Sequence, residues 1–365
     1  MGSMAMRTVL RIVLCCLLFV VGRVWAAEEQ PLYTLVETKT YVIVNRFVVT
    51  STSNDPLESV RATVMVGGTD ESLHQKKIRY RISPGVSSRI TDKLGNIYAV
   101  IELGKFAPHE QKTITIEKLV QNSGISFSPD IYKLTPSYTE FLATPENQQY
   151  IQPSPHIESD APEIKADVGK LSTNKTLVER ARDIYTGVNV YLQYDTNEAY
   201  AHRGALSAQH TRRGVCTEFA GLFVAFCRAV GIPARIVSGY WVPRDTPLNT
   251  PVLTKEDRHA WAEFYLPNVG WVPAELSLVT TRVVDGKRLP NYKYFAAIQP
   301  NDRHFMWGYG LETEHKPNIN IEYRFFSRPN ASQVELDAER LTAALVEESV
   351  KLVPDETVMA PTANN

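Results

Sequence analysis

Arg213-Gly214-Val215-Cys216-Thr217-Glu218-Phe219-Ala220 runs directly into the apolar segment 221–230 and then Gly231-Ile232-Pro233-Ala234-Arg235. Phe219, Leu222, Phe223, Phe226 and Val230 recur at three- and four-residue spacing, with Gly231 and Pro233 as a stop, so this stretch reads as a core helix. Cys216 sits at its mouth. The partial positive charge of a helix N-terminus stabilises a thiolate, which makes a thiol there a nucleophile near neutral pH. A lone cysteine at a helix start is more often a small buried hydrophobe, so the reading needs partners.

Downstream, Arg258-His259-Ala260-Trp261-Ala262-Glu263-Phe264-Tyr265-Leu266 reads as a strand, and Gly270-Trp271-Val272-Pro273-Ala274-Glu275 reads as a second one after a short turn. Cysteine, histidine and carboxylate therefore follow in chain order. A thiol needs a base to take its proton, and an imidazole needs a third group to fix its tautomer. Strand alternation puts His259, Trp261, Glu263 and Tyr265 on one face. Pairing Tyr265 with Trp271 sets Glu275 opposite Trp261 and diagonal to His259, whereas a slip of one residue turns it to the wrong face.

The chain has 365 residues and a formal net charge of −1. That length suits two domains, and the charge gives no case for nucleic acid or an anionic membrane surface. Arg7 and Arg11, the apolar run 12–21 and the small residues Ala26-Ala27 before Glu28-Glu29 read as a secretory signal over 1–27, with no stable membrane insertion after cleavage. The expected location is exported, periplasmic or secreted. Cys15 and Cys16 leave with the signal, and Cys216 and Cys227 remain. On one helix, a spacing of eleven puts these two about 16 Å apart, beyond disulfide reach. Cys227, among Phe223, Phe226 and Val230, reads as an inert core thiol. No CxxC pair, HExxH motif or phosphate-binding glycine loop occurs, so no metal or cofactor is expected.

Short alternating strands from Pro31 to about Lys118 predict a β-sandwich over 28–125. High proline density over 126–170 predicts a linker or extended strap, and 171–328 reads as an α+β catalytic domain. The segment 329–365 is expected to hold an amphipathic helix, Val334 to Leu352, and a polar tail.

Arg212-Arg213-Gly214-Val215-Cys216-Thr217-Glu218-Phe219-Ala220, Gly231-Ile232-Pro233-Ala234-Arg235-Ile236-Val237-Ser238-Gly239-Tyr240, His259-Ala260-Trp261 and Gly270-Trp271-Val272-Pro273 resemble the transglutaminase-like superfamily, over about Leu177 to Leu278. Bacterial exported transglutaminase-like proteins and cysteine proteases fall in this group. The resemblance implies a papain-like core, preceded here by the all-β sandwich-like domain, with Cys216 as nucleophile and His259 as base. Glu275 stands where the family usually has aspartate; a glutamate can still orient an imidazole. Tyr194, in Gln193-Tyr194-Asp195, resembles a tyrosine of bacterial relatives and is an oxyanion candidate beside the Cys216 N–H. Asn301-Asp302-Arg303 resembles a segment that follows the core in bacterial members.

The expected function is acyl transfer through a thioester on peptide, isopeptide or glutamine side-chain amide bonds, with hydrolysis favoured over transamidation. The partner is a peptide, protein or cell-wall peptide substrate. The alternative is a catalytically inactive scaffold or binding protein of the cell envelope, which the glutamate keeps open. Trp241, Trp261 and Tyr240 either line an apolar groove or belong to the core.

Overall fold

In a computed structural model, the structure describes residues 31–68, 72–135, 137–171, 175–243, 245–246, 253, 257–278, 282–310, 319–324 and 340–353. The expected signal over 1–27 lies outside them. Six strands open the chain: β1 (Tyr33–Ser51), β2 (Leu57–Gly68), β3 (Gln75–Ser83), β4 (Ser88–Thr91), β5 (Asn96–Phe106) and β6 (Gln111–Phe127). Alternating apolar residues of β1, β2, β5 and β6, among them Phe47, Val60, Ala62, Val64, Ala99, Ile101, Ile114 and Ile116, interleave in one core cluster. Two antiparallel sheets face each other across it.

The segment after β6 is a packed strap, not a free linker. It contains short helical turns at Pro129–Lys133 and Pro145–Tyr150 and the helices α1 (Thr139–Ala143) and α2 (Pro162–Val168). Prolines open three of these four elements, where their missing N–H costs nothing. Ile131, Tyr150, Ile157, Ile164 and Val168 are buried, and Phe141 stacks on Tyr265 with ring centroids 3.8 Å apart.

The helices α3 (Leu177–Tyr191), α4 (Ala205–Thr211) and α5 (Cys216–Ala229) follow, with the two-residue strands β7 (Gln193–Tyr194) and β8 (Arg213–Gly214) between them. Thr176 and Glu179 form a reciprocal capping box at the start of α3. Next come β9 (Ala234–Val242), β10 (Arg258–Leu266), β11 (Gly270–Ala274), β12 (Arg282–Val284), β13 (Lys287–Leu289), β14 (Ala297–Ile298) and β15 (Arg303–Tyr309). A four-stranded antiparallel sheet in the order β11-β10-β9-β15 carries α5, whose Phe223 meets Phe264 of β10. The chain is thus α+β, with a helix-on-sheet core beside a sandwich.

The sandwich also draws strands from far down the chain. β14 pairs with β6, β16 (Ile319–Arg324) pairs with β2, and β17 (Leu341–Leu352) pairs with β1. The expected helix over Val334 to Leu352 is therefore a strand in its described part, and residues 334–339 lie outside the described residues. The apolar spacing of this segment fits either period. What decides is the open edge of β1, where β17 pairs from Tyr41↔Leu352 to Ser51↔Leu341 with a single bulge.

Along the outer edge of β15, amides of the sandwich replace a strand. Gln75 Nε2 donates to Met306 O (3.0 Å) and its Oε1 accepts from Met306 N (3.0 Å). Asn96 repeats the pattern on Tyr309, donating to its O (2.9 Å) and accepting from its N (2.7 Å). Asn122 Nδ2 donates to His304 O (2.7 Å). All three side chains are buried, so the backbone groups of this edge are satisfied without a further strand.

Candidate active site

Cys216 is the first residue of α5, and its position is set from the N-terminal side. The parallel bridge of β7 to β8 pairs Gln193 with Arg213 and Tyr194 with Gly214, which brings Tyr194 beside the cysteine. A Cβ at Gly214 would collide with the side chain of Glu218, so glycine is required there. Glu218 turns back over the helix start. Its Oε2 accepts from Val215 N (3.2 Å), a donor that the helix N-terminus leaves unpaired, and its Oε1 accepts from Arg203 N (2.8 Å) in the loop before α4.

His259 is the second residue of β10, level with Gly239 of β9. A Cβ at Gly239 would run into the carbonyl oxygen of Phe305 and come within 2.8 Å of the Trp261 ring, so glycine leaves space for the aromatic packing behind the imidazole. The β10–β11 register is the one that Glu275 needs in order to reach His259. Tyr265 faces Trp271, the ladder runs to Ala262↔Ala274, and the next residue, Glu275, falls diagonal to His259.

His259 Nε2 donates to Glu275 Oε2 at 2.5 Å, and the Cys216 thiol is near enough to the ring to favour its charged form. With Nε2 taken, Nδ1 is the nitrogen left to the sulfur. The extra methylene of glutamate is absorbed by local contacts. Glu275 Oε1 accepts from Ser277 N (2.6 Å), Ser277 Oγ (2.9 Å) and Leu278 N (3.1 Å). The Glu275 carbonyl accepts from Tyr185 OH (2.9 Å), so backbone and carboxylate are both pinned.

The charges are coupled. Burial alone would pull the His259 pKa down, but the Glu275 carboxylate and the Cys216 sulfur outweigh it and favour the charged ring well above its ordinary range. Burial alone would raise Glu275, which is 1% exposed; His259 and then His304 overcome that and hold the carboxyl well below the usual carboxylate range. Cys216 is partly open to solvent. Cys227 is also free but fully buried, and burial pushes its thiol far up, so it is inert.

Tyr194 is half-exposed, with its hydroxyl beside the Cys216 backbone N–H. Burial, then the negative charges of Cys216 and Glu275, push its phenol up to about 12. It therefore keeps its proton and can donate. Trp261 and Tyr240 are core residues and line no groove. Trp241 is partly exposed with its ring 6.3 Å from His259, and its indole N–H has no partner among the described residues.

His304, on β15, is the residue that sequence reading misses. The segment Asn301-Asp302-Arg303 stops one residue short of it. It is wholly buried, with its Nε2 3.4 Å from Glu275 Oε2. One donor atom from each of His259, Glu275 and His304 lies within 4.8 Å of the others, a set that could hold a cation. The 2.5 Å between His259 Nε2 and Glu275 Oε2 fits a shared proton better, because two ligands of one tetrahedral zinc stand roughly 3.3 Å apart.

Residues 163–276 match the model of the transglutaminase-like superfamily. An uncharacterized protein of Mycobacterium leprae is 30% identical over 192 residues, covering 51% of this chain and 64% of the relative. A protein-glutamine gamma-glutamyltransferase of Pseudomonas aeruginosa is 39% identical over 66 residues, covering 18% of this chain and 10% of that protein. The chain thus spans less than two thirds of the length of these relatives. A solved structure from Cytophaga hutchinsonii, proposed to be a cysteine protease, is similar with a TM-score of 0.50 at 14% identity, covering 88% of this chain and all of that one. That likeness concerns the fold.

Proposed function

We propose, for a chain that carries a domain of the transglutaminase-like superfamily, cysteine-dependent acyl transfer on peptide, isopeptide or glutamine side-chain amide bonds, with water as the final acceptor. The observation behind this reading is the run of contacts from the Cys216 thiol through His259 to the buried Glu275. The Cys216 thiolate attacks the amide carbon, and the carbonyl electrons move onto oxygen. The Cys216 N–H and the Tyr194 hydroxyl, already side by side, supply the two donors for that oxyanion. His259 passes its Nδ1 proton to the departing amine, and the C–N bond breaks to leave a thioester. His259 then takes a proton from water, hydroxide adds to the thioester, and the carboxylic acid leaves as thiolate re-forms.

Glu275 keeps Nε2 protonated, so Nδ1 is the nitrogen that exchanges protons with the thiol and the leaving group. The Pseudomonas aeruginosa relative acts on protein glutamine by its name, which supports the amide substrate class. The pattern of residues 1–27 supports export, and among the described residues no helix is long and apolar enough to cross a membrane. N-terminal sequencing of the protein recovered from outside the cytoplasm tests that part, with a new terminus at Glu28 or Ala27 expected.

The chemistry is tested by incubating the full chain with envelope peptides and proteins in ¹⁸O-water and reading products by mass spectrometry. Hydrolysis places one heavy oxygen in the new carboxyl group. New amide cross-links instead would make transamidation the activity. A product pattern identical to that of the Cys216→Ser variant would overturn the enzyme reading.

A further inference from the structure

Two oxygen atoms face the two ring nitrogens of His304. Nδ1 lies 2.7 Å from Asp302 O and Nε2 lies 3.4 Å from Glu275 Oε2. A carbonyl and a carboxylate can only accept, so each contact is favourable only if the nitrogen facing it carries a proton. The ring is fully buried. It stands edge-on to Trp261 with centroids 5.1 Å apart, and its backbone carbonyl is held by Asn122 Nδ2 at 2.7 Å and His74 Nε2 at 3.2 Å.

The charged and titratable groups around it are few. Glu275 faces it from the end of β11, and His259 faces it from β10 with ring centroids 5.6 Å apart. His74, just before β3, is pushed down to about 3 by burial and then by His304, so it is neutral, with Ser72 Oγ on its Nδ1 at 2.5 Å. Gln75 and Asn122, from the sandwich, carry no charge. Glu275 Oε2 thus faces two imidazole nitrogens, that of His259 at 2.5 Å and that of His304 at 3.4 Å.

We propose that His304 is a positioning residue of this site: it donates to the same oxygen of Glu275 that accepts from His259, and so holds the carboxylate ionised and aimed at the imidazole. This rests on the thiol–imidazole reading given above. His304 touches neither the thiol nor the space before it, and it acts only through Glu275. Its location on β15 ties the catalytic hairpin to a strand gripped by the sandwich.

The test is the pH profile of Cys216 alkylation by iodoacetamide in the full chain, with the labelled peptide identified by mass spectrometry. Two variants separate the two contacts of the ring by reach. His304→Gln places an amide NH₂ where Nε2 stands and keeps a donor for Glu275. His304→Asn places one where Nδ1 stands and keeps only the donor for Asp302. Without its second donor, the buried carboxylate becomes easier to protonate, and reactivity that is present above its pKa and lost as pH falls is lost sooner.

The acid limb of the Asn variant is expected to move up by about one pH unit, while that of the Gln variant stays within a few tenths. Thermal melts establish that both are folded. Acid limbs that coincide in the two variants, whether shifted or not, would overturn the proposal, since a merely structural histidine does not distinguish which nitrogen is replaced. Wild-type Cys216 labelling no faster than an ordinary thiol would instead overturn the acyl-transfer reading itself.

Discussion

Replacing Glu275 with glutamine removes one charge and almost no volume, and the surroundings of the side chain dictate how the amide sits. Three donors, Ser277 N, Ser277 Oγ and Leu278 N, converge on the Oε1 position at 2.6 to 3.1 Å, so they capture the amide oxygen. The NH₂ group is then left pointing at His259 Nε2. A donor now faces what was a donor, and the imidazole relieves the clash by moving its proton to Nδ1, the side of the thiol. A ring in that tautomer cannot take the thiol proton.

The charge effect acts in the same direction. Two unit charges about 4 Å apart at an effective dielectric near 20 attract by about 4 kcal/mol, which is about three pH units of imidazolium stability. Glu275→Gln is therefore expected to slow Cys216 alkylation at pH 6 by about 10²- to 10³-fold. Above the ordinary thiol pKa of about 8.5, where any exposed cysteine ionises, the variant should approach wild type. The assay is quenched alkylation from pH 4 to 10, with Cys227 as the internal unreactive control. Equal rates for the two proteins at pH 6, or a wild-type profile with a single rise near pH 8.5, would refute the coupling of Cys216 to His259 and Glu275.

Tyr194→Phe removes an oxyanion donor but no part of the ion pair, so turnover on an amide substrate should fall about 10²-fold while Cys216 alkylation changes less than about twofold. Asn96→Ala removes the buried amide that donates to the C=O and accepts from the N–H of Tyr309; about 2 to 4 kcal/mol of stability should be lost, read as a lower urea midpoint at unchanged slope. Gly239→Ala forces a Cβ against Phe305 O and the Trp261 ring, and soluble yield, melting temperature and alkylation at pH 6 should fall together. The raised His259 and lowered Glu275 should stabilise the fold fully from about pH 4.3 to about 6.5. That contribution fades as pH rises through the His259 value or falls through the Glu275 value, and it should be absent from the melting curve of Glu275→Gln.

The β10–β11 hairpin is legible because its information is local. Alternation over Arg258 to Leu266 and a short turn to Gly270 mark two neighbouring strands, and the requirement that Glu275 share the face of His259 selects the pairing Tyr265↔Trp271. The same logic reaches the start of α5, where a run of apolar residues after Cys216 has one boundary that places a helix mouth. It does not reach β17. Whether Leu341–Leu352 is helix or strand depends on an unpaired edge of β1 three hundred residues away, which no local pattern encodes. His304 is hidden for a related reason. Its neighbours in sequence say nothing of Glu275, and only the β9–β15 pairing brings the two together.

That pairing also bears on which part of the chain can act alone. The family match ends at residue 276, before β15, so the matched segment contains β9, β10 and β11 but not the strand that closes the β9 edge. β15 in turn presents a second edge, and its N–H and C=O groups are met by Gln75, Asn96 and Asn122, all from the first 122 residues. Remove the sandwich and those groups are left buried or open to water, while the carbonyl that holds His304 in place loses its donors. The sandwich is then a structural part of the candidate site: its amides hold a strand, and that strand carries His304 against Glu275, the carboxylate that accepts from His259.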